Sequence, residues 1–235
     1  MRTDIPRQRG WSLGDALDGI GLFDGLDKRL RRQLITGAQP RHYQRGDLLY
    51  AEREAGRDLF LLMSGTVVLF RGTPARRRAT LAVVRPPAVL GEEAIAGGVP
   101  RTASAEAIRA SFVLALPEAE LTGVMHRQPT MGEAARRWLV SKLGDLAEQR
   151  ADDLLLDLPT RVAKALLRLA TGGGNPPLVV DYSQELVATL ARGSRQSVNQ
   201  ALNRFADRGW LRIERGRLVI IDADALARRA GLPIP

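Results

Sequence analysis

Cysteine is absent from this sequence, and histidine occurs only twice, as His42 and His126. Without cysteine the chain has no disulfide, no iron–sulfur ligation, no thiol redox sensor and no cysteine nucleophile. Neither histidine has a cluster of potential ligands near it in the sequence, so we predict neither a metal centre nor a haem site.

Long apolar runs are also missing. No segment reaches the length of a transmembrane helix, which predicts that the chain is not an integral membrane protein. The start of the chain is polar and rich in arginine, unlike a signal peptide, so we expect a cytoplasmic protein. The sequence contains no P-loop and no recognisable Ser-His-Asp set, and we predict no catalytic residues and no enzyme activity.

Residues 182–221 have the pattern of a helix, a tight turn, a second helix and a two-stranded wing. Ser183 is a favourable N-cap for the first helix, and Ala191-Arg192-Gly193 interrupts that helix. Ser194 caps a predicted second helix, whose inward face has apolar residues at i, i+3, i+4 and i+7: Val198, Ala201, Leu202 and Phe205. This order of elements is used to place a helix in the DNA major groove.

The outer face of the second helix carries side chains that suit base edges, because Arg fits guanine O6/N7 and Asn or Gln fits adenine N6/N7. Arginines in the wing turn suit phosphate contacts. The predicted DNA-binding residues are Ser194, Arg195, Gln196, Ser197, Asn199, Gln200, Arg204, Arg215 and Arg217. The alternative interpretation of this helix is a polar face that is simply solvated.

The positive charge is concentrated in the same part of the chain. Residues 159–235 contain twelve basic and six acidic residues, and so hold +6 of the formal charge of +9. A local excess of this kind is expected of a protein that binds DNA. It favours the DNA-binding interpretation over the solvated face.

The first half of the sequence has short strand-like runs separated by Gly and Pro, which is typical of a β-roll or barrel. After a helical lead-in near Leu22 to Leu30, the predicted strands cover residues 39–43, 48–50, 59–63, 66–70, 79–84, 89–90, 103–108 and 111–116. We place turns at Gly46-Asp47 and Ser64-Gly65. The whole chain, of 235 residues, is predicted to have an α+β fold with more than one domain.

One segment of the roll, residues 90–103, combines glycines with Arg101 and Thr102. A buried phosphate needs backbone N–H donors, a guanidinium and a hydroxyl, and the amides of residues 94–96 with these two side chains supply that set. Glu92 would repel a phosphate but can accept a hydrogen bond from a sugar hydroxyl. The segment indicates a phosphorylated sugar as ligand, and the alternative is a surface turn with a solvated arginine.

The order of these motifs resembles the cyclic-AMP receptor protein (CRP/FNR) family of bacterial transcription regulators. The resemblance runs from about Leu22 to Ala230 and includes Gly91-Glu92, residues 100–103, residues 156–163 and residues 194–198. It implies a roll that binds a cyclic nucleotide, a long helix that forms a homodimer and a winged domain that reads a palindromic operator in double-stranded DNA. RNA polymerase is a further partner that the resemblance implies.

Carried over residue by residue, the resemblance implies that Glu92 holds the ribose 2′-hydroxyl, that Arg101 pairs with the cyclic phosphate and that Thr102 donates to it. Gly91, Ala103 and Lys142 complete the implied cyclic-nucleotide site, with Lys142 in the place of a family arginine. The spacing from Gly91 to Arg101 resembles the phosphate-binding cassette of cyclic-nucleotide-dependent kinases and channels.

The chain departs from the family pattern in the ligand site and the recognition helix. Glu93 replaces an apolar residue, which we expect to weaken packing beneath the phosphate loop. Leu146-Ala147 stands where cyclic-AMP members have a Thr-Ser pair that contacts adenine. A threonine directly after the cassette arginine, as at Thr102, resembles the pattern of cyclic-GMP-responsive domains. Cyclic AMP, cyclic GMP and a roll that binds no nucleotide therefore all remain open, and Gln196 and Gln200 imply a different operator.

Residues 131–156 are predicted to form a long helix in which Leu139, Leu143 and Leu146 recur at coiled-coil spacing. We expect them to form the dimer interface; the alternative is packing against the roll. The predicted domains are a tail (1–21), the roll (22–128), the dimerisation helix (129–157) and the winged helix-turn-helix domain (158–235).

Overall fold

The computed structural model describes Leu17 and residues 20–72, 78–97, 99–171 and 177–232. Most of the predicted tail and Gly98 of the predicted ligand segment lie outside the described residues. The chain divides into two compact units, residues 1–143 and residues 144–235.

The first unit is built around one antiparallel sheet. After a 3-10 turn at Gly21–Phe23, its elements are α1 (Lys28–Gly37), β1 (Gln39–Tyr43), β2 (Leu48–Tyr50), β3 (Asp58–Gly72), β4 (Arg78–Val84), β5 (Ala88–Leu90), a 3-10 turn at Glu92–Ile95, β6 (Ser104–Pro117) and α2 (Glu118–Arg127). The sheet has the order β1-β6-β3-β4, with β2 paired to β6 and β5 paired to β3. The long helix α3 (Pro129–Leu155) follows and extends along the chain into the second unit.

Two long strands replace four of the predicted short ones. The predicted turn at Ser64-Gly65 is wrong, because β3 continues through both residues and pairs Ser64 with Phe112 on β6. The register shifts on both sides of Ser64, and Gly65 has a φ of 94°, so these residues form a bulge. β6 likewise joins the two strands that were predicted over residues 103–108 and 111–116.

Both faces of the sheet are packed, and alternate residues of β3 face opposite sides. Leu59 and Leu61 belong to a core cluster that includes residues of α1, α2 and the start of α3. Phe60 and Leu62 belong to a second cluster, formed by strand residues that include Tyr50. This second cluster supports the candidate ligand site.

The second unit combines helices with a three-stranded sheet. Its elements are α4 (Leu158–Leu169), β7 (Leu178–Val180), α5 (Gln184–Leu190), α6 (Arg195–Asp207), β8 (Leu211–Glu214), β9 (Arg217–Ile220) and α7 (Ala223–Ala230). The predicted helix-turn-helix and wing are confirmed, and β7 adds a third strand beside β9.

Local signals begin the helices of this unit. Asp157, Ser183 and Ser194 are the N-caps of α4, α5 and α6, and each side chain accepts from an amide three residues later. The predicted apolar face of α6 is buried as a set: Val198, Ala201, Leu202 and Phe205. The predicted α+β fold, with a β-roll before a winged helix-turn-helix domain, is confirmed.

Candidate functional site

Gly91 directly follows β5 and precedes the 3-10 turn that contains Glu92 and Glu93. Its φ of 75° lies in the left-handed region, which favours glycine. A Cβ at this position would lie 2.3 Å from Nη1 of Arg101 and 3.0 Å from the Asp58 carbonyl oxygen. Gly91 therefore permits both the turn and the close approach of the guanidinium.

Arg101 is 3% exposed, an unusual environment for a guanidinium. Its Nη1 donates to the Gly91 carbonyl oxygen at 2.9 Å and its Nη2 to that of Asp58 at 2.6 Å. The guanidinium carbon lies 4.4 Å from the centroid of the Tyr50 ring and 5.5 Å from that of Phe60. The Nε atom is buried and has no hydrogen-bond partner among the described residues. A buried cation with an unpaired donor suits an anionic ligand.

The main chain of Arg101 is fixed by the loop before β3. Its N–H donates to the Glu54 carbonyl oxygen at 2.8 Å, and its own carbonyl accepts from the Arg53 N–H at 2.8 Å. Hydrogen bonds thus fix both the main chain and the guanidinium of Arg101, which favours recognition of a ligand of defined geometry.

Glu93 is a site residue whose role the sequence analysis missed. Its Oε1 accepts from the Thr102 N–H at 2.8 Å and from the Thr102 hydroxyl at 2.6 Å, while its Oε2 lies 3.3 Å from Nη1 of Arg101. Partial burial alone would raise the pKa of Glu93, but the hydrogen bonds from Thr102 and Arg101 outweigh it and lower the pKa. The carboxylate is therefore held in its charged form beside Arg101 and Thr102.

Two of the three main-chain donors that were predicted to face a phosphate have partners of their own. The Ala94 N–H donates to the Gly91 carbonyl oxygen, and the Ala96 N–H donates to that of Glu93, both at 3.1 Å. These two amides therefore donate within the loop, because the segment closes into a 3-10 turn. Ala103, another predicted site residue, is buried.

Glu92 is half-buried, and burial raises its pKa, with a smaller opposing effect from Lys142. The Lys142 Nζ lies 5.2 Å from the centroid of the Trp138 ring. Burial also raises the pKa of Tyr50, and the nearby carboxylates add to the effect.

An apolar row is exposed along the middle of α3. Leu143 and Leu146, two of the three predicted interface leucines, are 65% and 60% exposed, whereas Leu139 is half-buried. Val140, which the leucine spacing did not include, is 67% exposed. Such a row on one helix is uncommon without a partner.

The predicted DNA-binding residues of α6 differ in how accessible they are. Arg195, Gln196, Gln200 and Arg204 are exposed. The Ser194 hydroxyl caps the helix by accepting from the Ser197 N–H at 3.1 Å, and its oxygen lies 2.8 Å from the Ser197 hydroxyl. Asn199 is half-buried, and its Oδ1 is buried without a partner among the described residues.

The wing presents two arginines on its turn, in different electrostatic settings. Arg217 pairs with Glu214 at 2.6 Å, and Arg212 pairs with the same carboxylate at 2.9 Å. These hydrogen bonds, chiefly the one from Arg217, lower the pKa of Glu214. Arg215 is exposed and has no ion pair within the described ranges. Arg195 and Arg217 line one cleft, so the start of α6 lies beside the wing.

Ion pairs tie the end of α3 to the rest of the second unit. Asp152 pairs with Lys164 of α4 at 2.7 Å, and Asp153 pairs with Arg192 in the helix-turn-helix turn at 2.6 Å. Arg192 has a φ of 49°, one of two left-handed non-glycine residues among those described. The segment between α3 and α4 is held as well, because Asp157 pairs with Arg229 of α7 at 2.6 Å.

The described residues contain no group of three or more His, Cys, Asp or Glu side chains placed to hold a metal ion. Within the same ranges, none of the helices has both the length and the apolar character needed to cross a membrane.

Comparison with known proteins identifies both units. The family model of the cyclic nucleotide-binding domain matches residues 40–128, and that of the Crp-like helix-turn-helix domain matches residues 160–229. The chain is 34% identical over 223 residues to a CRP-like cAMP-activated global transcriptional regulator of Mycobacterium tuberculosis, covering 93% of this chain and all of the relative. It is 30% identical over 216 residues to a cyclic AMP receptor protein of Thermus thermophilus, covering 89% and 96%.

A solved structure of a CRP-family transcriptional regulator from Thermus thermophilus superposes with a TM-score of 0.67 at 24% identity, covering 83% of this chain and 98% of that one; this likeness supports the fold. The two matched domains define a DNA-binding transcription regulator and not an enzyme. With the similarity to full-length relatives, they show that the chain belongs to the cyclic-AMP receptor protein (CRP/FNR) family.

Proposed function

We propose that this regulator is a homodimer whose binding to a palindromic operator is controlled by cyclic AMP or cyclic GMP in the first unit. The observation that carries the proposal is Arg101, a buried guanidinium whose Nε lacks a partner among the described residues. A cyclic phosphate supplies both the acceptors and the charge that this group requires. A regulator of this kind acts on DNA in the cytoplasm, together with RNA polymerase.

The other predicted ligand residues support a nucleotide over a bare phosphate. Glu92 is the group for the ribose 2′-hydroxyl, and Lys142 contributes positive charge close to it. The Mycobacterium tuberculosis and Thermus thermophilus relatives are named for cyclic AMP, which favours that ligand. The hydroxyl of Thr102 and the lack of base-selecting hydroxyls at Leu146-Ala147 keep cyclic GMP as the rival.

The experiment that tests the ligand is isothermal titration of the protein with each cyclic nucleotide, repeated with Arg101→Lys and Arg101→Ala. We expect one nucleotide to bind, and both variants to lose most of the affinity, because a lysine ammonium cannot reproduce the guanidinium geometry. Circular dichroism of each variant checks that the roll still folds. Equal affinity in a folded Arg101→Ala variant would overturn the assignment.

The dimer proposal rests on the exposed row that contains Val140, Leu143 and Leu146. Two recognition helices about one DNA turn apart read a palindrome, and a pair of sites raises affinity beyond that of one helix. Sedimentation should give a dimer for the natural chain and a monomer for Leu143→Glu. Leu81→Glu is the matched control, because Leu81 is an exposed leucine of β4. A Leu143→Glu variant that stays dimeric would exclude this interface.

The proposed mechanism is a population shift. A ligand held by Arg101 and Glu92 stabilises a dimer conformation in which the two α6 helices match adjacent major grooves, so ligand and operator strengthen each other's binding. Selection of DNA from a random library, with and without the nucleotide, tests this coupling. We expect a palindromic sequence to be enriched only when the nucleotide is present.

A second candidate is a regulator whose roll binds no cyclic nucleotide, or binds a different effector. The observation that favours it is that Glu93 already accepts hydrogen bonds from both donors of Thr102. Both forms of this candidate predict no binding of cyclic AMP or cyclic GMP in the titrations, and a roll that binds nothing also predicts enrichment of one DNA sequence without any nucleotide.

A further inference from the structure

The Glu93 carboxylate lies on the donors that the proposed function assigns to the cyclic phosphate. It accepts from the N–H and the hydroxyl of Thr102 at 2.8 and 2.6 Å, and it lies 3.3 Å from Nη1 of Arg101. An anion held by a guanidinium, a hydroxyl and a backbone amide is the arrangement expected for a bound phosphate. Here a side chain of the same loop supplies the anion.

Gly56 makes room for this arrangement. A Cβ at position 56 would lie 3.1 Å from the Cβ of Glu93 and 2.6 Å from the Val99 carbonyl oxygen. Only 10% of the Glu93 side chain is exposed, so its carboxylate is enclosed within the site. The contact is therefore part of a packed loop and is distinct from a surface ion pair.

The Glu93 carboxylate makes shorter hydrogen bonds with Thr102 than with Arg101. Its bonds to Thr102 are short, but its 3.3 Å contact with Arg101 is long for a charge-assisted bond, and Nε of Arg101 remains without a partner among the described residues. The guanidinium does not depend on Glu93 for its position, because the carbonyl oxygens of Gly91 and Asp58 hold it. An anion with more acceptor oxygens can thus replace the carboxylate without moving Arg101.

We propose that Glu93 is a tethered competitor for the anion site, which a cyclic phosphate must displace before it reaches Arg101 and Thr102. This inference rests on the proposed function for the identity of the ligand. The carboxylate then sets the nucleotide concentration to which the regulator responds, because the measured affinity is the intrinsic affinity reduced by the fraction of molecules with the site open.

The first test uses inorganic phosphate as the probe and thermal unfolding as the readout. Glu93→Gln removes the negative charge and keeps nearly the same side-chain shape, so phosphate should raise the melting temperature of this variant. The natural chain should show a smaller rise at the same phosphate concentration, because its site is open in only a fraction of the molecules. Glu106→Gln is the matched control, because Glu106 is a carboxylate of β6 that pairs with Arg78 at 2.6 Å. This variant shows how much phosphate binding changes when the protein simply loses one negative charge. An equal effect of phosphate on all three proteins would overturn the proposal.

The second test measures the affinity for cyclic AMP and cyclic GMP by titration. Glu93→Gln should bind the preferred nucleotide about tenfold more tightly than the natural chain, as expected if the site is open in about one molecule in ten. Should Glu93→Gln fail to fold, Glu93→Asp withdraws the carboxylate by one methylene and should tighten binding in the same direction. Unchanged affinity in both folded variants would overturn the proposal.

The two tests separate this inference from the proposed function. Phosphate stabilisation of Glu93→Gln without binding of either nucleotide supports the tethered competitor and removes the cyclic-nucleotide ligand. Nucleotide binding that is equally strong in the natural chain and in Glu93→Gln, with no effect of phosphate, retains the ligand and removes the competitor.

Discussion

Arginine is used in opposite ways in the two units of this chain. In the first unit, Arg101 is buried, fixed by main-chain carbonyl oxygens and stacked over Tyr50. In the second unit, Arg195 and Arg215 are exposed side chains at the start of α6 and on the wing. Contacts within the protein fix the guanidinium of Arg101, whereas the guanidinium groups of Arg195 and Arg215 are exposed to solvent. A substitution should therefore affect stability in the first unit and DNA affinity in the second.

The largest effect we expect is on stability, from Gly91→Ala. Alanine at this position is strained by the left-handed backbone, and its Cβ would lie 2.3 Å from Nη1 of Arg101. The substitution should therefore lower the free energy of unfolding by about 3 kcal/mol. Gly216→Ala is the control, because Gly216 has a φ of 82° but nothing within 4 Å of the added Cβ; we expect about 1 kcal/mol there. Urea unfolding measures both, and equal losses would show that the contact with Arg101 is unimportant.

The next effect is on DNA affinity without a change in stability. Arg195→Ala removes an exposed side chain and should weaken binding to the preferred sequence by about 1–3 kcal/mol, with relaxed specificity at one base pair. Fluorescence anisotropy with the selected operator and its single-base variants checks this result. An equal loss on random DNA would show instead that Arg195 contacts only phosphate.

A smaller effect on stability is expected at Asp157, the N-cap of α4. Hydrogen bonds from Thr160, and then from Arg229, lower its pKa to about 2. Asp157→Ala should cost about 1 kcal/mol of unfolding free energy at neutral pH. Since the folded-state pKa is depressed, this stabilisation is present above the normal carboxyl pKa of about 3.9 and is lost as the pH falls toward about 2. Asp157→Asn keeps a capping oxygen but should lose the pH dependence, and urea titrations from neutral to acid pH compare the three proteins.

The smallest effect is expected on the wing. Arg215→Ala should weaken binding to all DNA sequences alike and reduce the slope of log affinity against log salt by about 1, because a phosphate contact is lost. Binding isotherms at several salt concentrations provide the measurement. A loss confined to one base pair would show instead that Arg215 contacts a base in a groove, the role assigned to Arg195.

The elements that the sequence predicted well depend on local signals. Ser194 caps α6, and the apolar face from Val198 to Phe205 is buried, as the capping residue and the apolar period indicated. The predicted break at residues 64–65 failed because a serine-glycine pair also suits a bulge. Only the pairing of β3 with β6, distant in sequence, distinguishes a bulge from a turn.

The role of Glu93 was beyond local prediction for the same reason. The sequence placed Arg101 and Thr102 beside each other, but the position of the guanidinium depends on the Asp58 carbonyl oxygen and the Tyr50 ring, which come from other strands. That position brings Arg101 within reach of Glu93. From the sequence alone, an acidic residue in such a loop is expected to repel the anion; the structure shows that Thr102 and Arg101 donate to it instead.

The ion pairs at the end of α3 bear on how regulators of this family are recombined. Asp152 and Asp153 belong to the long helix by sequence, yet their partners are Lys164 and Arg192 in the second unit. A chimera joined after Leu156 would separate these charges from the residues that match them. A junction at Gly144, where the compact second unit begins, transfers both ion pairs intact.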